Sequence, residues 1–127
     1  MDIRELIPKH KQDYGRVEQL KTKTLEEMKP ILPDLLKWLQ DMNWPIAQDI
    51  ENIVINYQED LLPHLKEIFN TNDGEWKYFI LHGLVSRLPK HIIKELKPDL
   101  IRMKDFPTKD EIVSEINDIV TELLEKS

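Results

Sequence analysis

Two indoles and four polar side chains fall within eleven residues of this chain: Trp38, Gln40, Asp41, Asn43, Trp44 and Gln48. An indole pairs a large apolar face with one N–H donor, so this cluster on a loop between rigid helices suits partner recognition better than bond breaking. The competing reading is structural: both indoles close the core, and Asp41 or Asn43 takes amides at the next helix start.

The histidines His10, His64, His82 and His91 raise metal or acid–base chemistry, because neutral imidazole is both a ligand and a base near neutral pH. Asp60 and His64 stand four apart and Glu67 three further on, so one helix face could offer three ligand atoms. No His-Glu-x-x-His arrangement completes them. His82, between Leu81 and Gly83, is expected to be partly buried in a hydrogen-bonded structural role. Ser86, Ser114 and Ser127 lie outside any nucleophile elbow, and Gly15, Gly74 and Gly83 are too isolated to cradle phosphate. The acid pairs Glu26-Glu27, Glu59-Asp60 and Asp110-Glu111 fall at expected helix starts, where carboxylates favour the dipole. These patterns call for no catalytic residue, no metal and no cofactor.

Composition narrows the classes further. With 40% hydrophobic and 33% charged residues over 127 positions, the chain has enough apolar material for one core. The absence of cysteine excludes disulfides and thiolate zinc sites and is compatible with a reducing compartment. Asp2, Arg4 and Glu5 interrupt any apolar leader, and no later run is long enough to span a bilayer, so the expectation is a cytoplasmic protein without membrane association. Net charge is −6, and residues 31–70 hold Lys37 and Lys66 against seven acids. Nucleic acid is therefore disfavoured as a partner unless Arg87, Lys90, Lys94, Lys97, Arg102 and Lys104 gather on one face.

The elements that position these groups all read as helices. Ile112, Val113, Ile116, Ile119, Val120, Leu123 and Leu124 follow helical spacing after a Thr108/Glu111 capping box, and a second box stands at Thr24/Glu27. Pro30 and Pro33 are expected to break the first half of the helix through Leu32, Leu35, Leu36 and Leu39. Asn43 is the expected N-cap of a helix burying Ile46, Ala47, Ile50, Ile53, Val54 and Tyr57. Further helices carry Leu61 to Phe69, then Trp76, Phe79, Ile80, Gly83 and Leu84, then Ile92 to Leu100 with a bend at Pro98. Residues 1–12 read as mostly irregular.

Short loops between such helices predict antiparallel hairpins. Pro33 and Pro63 mark first helices 30 residues apart, Trp44 and Trp76 open second helices 32 apart, and Pro98 with the capped terminal helix forms a weaker third unit. That period predicts an all-α fold, a short α-solenoid (α-α superhelix) forming a single domain over residues 1–127. Proline inside the first helix of each hairpin resembles HEAT repeats. The run Trp38-Leu39-Gln40-Asp41-Met42-Asn43-Trp44-Pro45, with Leu6-Ile7-Pro8-Lys9, is similar to a family of small bacterial proteins of unknown function with a HEAT-like helical fold. The resemblance implies that fold and carries no activity.

The expectation is a non-catalytic protein–protein interaction module, monomeric or weakly dimeric, meeting its partner through Trp38, Gln40, Asp41, Asn43, Trp44 and Gln48. One form is an inhibitor or immunity-type protein against a basic toxin, steered by Asp34, Asp41, Asp49 and Glu51. The alternative from another class is a small metal-dependent or hydrolytic enzyme using His64 or His82.

Overall fold

In a computed structural model describing residues 2–127, every regular element is helical, with no strand among the described residues. The chain divides into two compact units, Met1–Tyr57 and Gln58–Ser127.

The first unit opens with a 3-10 turn, Ile3–Leu6, before an irregular stretch leads into α1 (Tyr14–Leu20). Asp13 caps α1: its carboxylate accepts the Lys9 and Arg16 amides and the Arg16 guanidinium. Burial alone would raise the Asp13 carboxyl, but these bonds outweigh it and hold the group below its ordinary value. The Thr24/Glu27 capping box starts α2 (Leu25–Met28). Pro30 then forces a 3-10 turn, Lys29–Ile31, because it has no amide for the α ladder, and α3 (Leu32–Leu36) follows with Pro33 in its first turn. After another 3-10 turn, Lys37–Leu39, the chain loops to α4 (Ala47–Val54), which packs on α3. Leu32, Leu35, Leu36, Ile46, Ile50 and Val54 fill this core. The Tyr57 hydroxyl donates to the Leu25 carbonyl, tying the end of the unit to the start of α2.

The second unit comprises α5 (Leu62–Phe69), α6 (Gly74–Phe79), α7 (Lys90–Glu95), α8 (Lys97–Asp105), α9 (Lys109–Val113) and α10 (Asn117–Lys126). Between α6 and α7 the helix widens to a π turn over Ile80–Leu84 and tightens to a 3-10 turn over Val85–Arg87. Its main packing pairs are α8 with α10 and α6 with α9. The first of these sets the Pro98-bearing helix against α10, which lies beyond the capped α9.

Two expectations need correction. The terminal helix is not continuous: α9 ends at Val113, Glu115 adopts φ 54°, and α10 begins afresh at Asn117. Ile112 and Val113, expected in the buried stripe, are 62% and 73% exposed, because the break turns them away from the face formed by Ile116, Ile119, Val120 and Leu123. Likewise Asn43 does not cap α4; the Asp41 carboxylate accepts the Asn43 amide inside the loop, and α4 starts four residues later.

Candidate functional site

The loop between α3 and α4 brings the two indoles together. Trp38 and Trp44 meet edge to face, with ring centroids 5.4 Å apart and planes at 66°. Both are half-buried, as are Gln40 and Asp41, while Asn43 and Gln48 are exposed. Asp41 is engaged in its loop turn, and the Gln48 amide reaches Glu51 and Asn52 along α4. The indoles thus share one packed contact, and the polar residues are spread along the loop and the helix after it.

The histidines do not converge. His64 is half-buried on α5, His10 is exposed, and His91 faces Glu59 at 3.5 Å. His82 is exposed and not partly buried as expected, because it lies off the buried stripe of Lys77, Ile80, Leu81 and Leu84, and it stacks on Tyr78 with centroids 5.6 Å apart and planes at 11°. Among the described residues no three His, Asp or Glu side chains are placed to hold a metal ion.

The strongest electrostatic feature was not anticipated. Lys77 on α6 is fully buried, and its Nζ donates to Asp110 Oδ2 at 2.8 Å and Glu111 Oε2 at 2.7 Å. Glu111, also fully buried, accepts both Arg102 Nη1 (2.6 Å) and Nη2 (2.7 Å), and its Oε1 takes the Thr108 amide at 2.9 Å. The Arg102 fork also donates to the Phe69 carbonyl. Burial by itself would push the Glu111 carboxyl up; the bonds from Arg102, Lys77 and Thr108 prevail and bring it down to about 2. Asp110 is lowered against the same opposing burial by Lys77 and Thr108, and Arg102 is raised chiefly by its bonds to Glu111. Reading Asp110-Glu111 as dipole acids was therefore incomplete, because they also neutralise a buried lysine. Arg102, spent on Glu111, no longer counts toward a basic face.

The helices fixed by this cluster enclose an open groove of about 920 Å³. One wall carries Glu75 and Tyr78 of α6 and His82 of the π turn; the other carries Ile112, Glu115, Asp118 and Glu122 from α9, the joint and α10. Glu111 lies in its lining with its charge already met, so Glu75, Glu115, Asp118 and Glu122 set the field, and no Lys or Arg lines the groove.

Glu115 adopts a left-handed backbone conformation, φ 54°. The Glu115 amide donates to the Ile112 carbonyl and the Ile116 amide to the Glu111 carbonyl. These are the two bonds of a Schellman cap, whose left-handed residue is usually glycine. A glutamate there costs of order 1 kcal/mol or more. The joint thus holds a carboxylate in the groove at an energetic cost.

The family described as Domain of unknown function (DUF5071) matches residues 6–124. The chain belongs to this family. No curated protein matches the sequence. The match takes in both units of the DUF5071 chain, so the Trp38–Trp44 loop, the buried Lys77 cluster and the groove all belong to the family's domain. No helix among the described residues is long and apolar enough to cross a membrane.

One signal in the sequence could have revealed the buried cluster. Lys77, Ile80, Leu81 and Leu84 are spaced i, i+3, i+4, i+7, and all four are buried. A lysine opening an apolar stripe requires carboxylates from elsewhere in the fold, since an isolated buried ammonium is prohibitively costly.

Proposed function

We propose that this DUF5071 domain is a non-catalytic protein-interaction module, and that the groove of its second unit is the principal binding surface. The observation that carries this reading is the groove itself: a concave face with four unneutralised carboxylates, a stacked Tyr78/His82 pair and the exposed Ile112. Its mixture of one-signed charge with aromatic and aliphatic surface suits a protein segment better than a small polar substrate. The cost of Glu115 supports the same reading, because strain is kept where the surroundings demand that particular side chain. The Trp38–Trp44 loop is proposed as the contact surface of the first unit. With this goes a reading of the helix pairs as HEAT-like repeats, in a cytoplasmic bacterial protein that acts as a monomer or weak homodimer. An inhibitor or immunity-type role against a basic toxin is the specific form we favour.

The alternative, a small metal-dependent or hydrolytic enzyme using His64 or His82, draws support from the place of His82 on the groove wall. Photo-crosslinking in the source cell's lysate tests the module reading. Benzoylphenylalanine in place of Ile112 or Asn117 should trap one discrete protein that the same probe at Glu95, exposed on α7, does not. No adduct from either groove position, or the same adducts from all three, would reject it.

A further inference from the structure

We infer that the occupant of the groove is an arginine-bearing segment of the partner, seated with its guanidinium against the Tyr78/His82 stack and its charge met by Glu115, Asp118 and Glu122. This rests on the proposed module reading and adds the chemistry of the ligand. Three observations carry it. First, the groove has one sign of charge and contains no Lys or Arg to satisfy it internally, whereas the neighbouring Glu111 is fully satisfied by Arg102 and Lys77. Second, among the described residues no three His, Asp or Glu side chains converge as metal ligands, so the charge is distributed along a wall and suits an extended cationic segment better than a single ion. Third, Tyr78 and His82 lie nearly parallel, and His82 is exposed on its helical turn.

A planar guanidinium can extend that stack while bonding carboxylates through its fork; an ammonium offers only a point charge and is the weaker match. The exposed Ile112 provides an aliphatic surface for the methylene stem. At about 920 Å³ the groove lies toward the upper end of the usual range for ligand sites, about 300–1,000 Å³.

The test uses the full chain and two capped peptides, hexa-arginine and hexa-lysine, titrated by calorimetry at low and moderate salt. The groove variant is Asp118→Asn with Glu122→Gln. A control variant, Glu5→Gln with Glu26→Gln, makes the same change in net charge at exposed sites on the first unit. We expect the arginine peptide to bind wild type at least fivefold more tightly than the lysine peptide, to lose tenfold or more affinity in the groove variant, and to stay within twofold in the control. His82→Ala, at an exposed site, should erase the arginine preference while keeping residual binding of both peptides. Equal weakening in both double variants would show diffuse attraction to an acidic chain and overturn the inference, as would no binding to wild type. An arginine preference that survives His82→Ala would overturn the stacking. Crosslinking to a partner at Ile112 together with failure of both peptides would leave the module reading standing and remove only the cationic occupant; peptide binding without any crosslinked protein would do the reverse.

Discussion

Burying the Lys77 ammonium costs several kcal/mol unless partners replace its hydration, and here Asp110 and Glu111 do so at under 3 Å. The members of the cluster are unequal. Removing the lysine leaves Glu111 with the Arg102 fork and the Thr108 amide, and leaves Asp110 partly exposed to water. Removing the glutamate charge strands a fully buried lysine with Asp110 alone and takes the guanidinium's carboxylate away. Lys77→Met should therefore cost only about 1 kcal/mol, whereas Glu111→Gln should cost about 3–5 kcal/mol. Urea unfolding of the two variants checks the order, and a larger loss for Lys77→Met would mean that Arg102 does not support Glu111 as described.

At the scale of elements, the groove depends on how closely α9 lies on α6 and on the sharp joint between α9 and α10. Gly74 records the first: a Cβ there would stand 2.1 Å from the Asp110 carbonyl and 2.5 Å from Ser114 Oγ. Gly74→Ala must push α9 away, with an expected loss of about 1–3 kcal/mol and faster amide exchange across Lys109–Val113, readable by hydrogen-exchange mass spectrometry. The joint predicts the opposite sign. Glu115→Gly relieves the left-handed strain and should raise stability by up to about 1 kcal/mol while weakening the arginine peptide; a fall in stability would show that the carboxylate also supports the fold. This joint explains why the end of the chain was misread. A cap with glutamate in the glycine position leaves no mark in the sequence, and apolar residues continue at helical spacing through it, so Ile112 and Val113 looked like core. Other parts were legible because their signals are local: both capping boxes, the turn at Pro30 and the buried stripe of α4 need no tertiary knowledge. The Trp38–Trp44 contact was visible as a cluster. The groove was not, since its walls lie about forty residues apart in the chain and only the packing of α9 and α10 against α6 and the π turn brings them together.

For the molecule as a whole, the lowered carboxyls set how stability must vary with acid. Glu111 titrates near 2 when folded against 4.5 when unfolded, so the unfolded chain takes up the proton first. Its contribution is present in full above about pH 4.5 and drains away as pH falls toward 2, amounting to about 3 kcal/mol over that span. Asp13, Asp110 and Glu27 are all lowered too, the last chiefly by the Thr24 amide, and act in the same direction. Protonation also removes the negative charge that the chain carries at neutral pH and leaves its 18 Lys and Arg uncompensated, adding repulsion at the acid end. The urea midpoint should accordingly fall steeply below about pH 4.5, the unfolded value for Glu111. The same titration on Glu111→Gln isolates the buried group: its stability should lie below wild type at pH 7 and converge on it by about 3 kcal/mol toward pH 2. Parallel curves would instead place the acid sensitivity in the surface carboxylates and leave Glu111 ordinary in its affinity for protons.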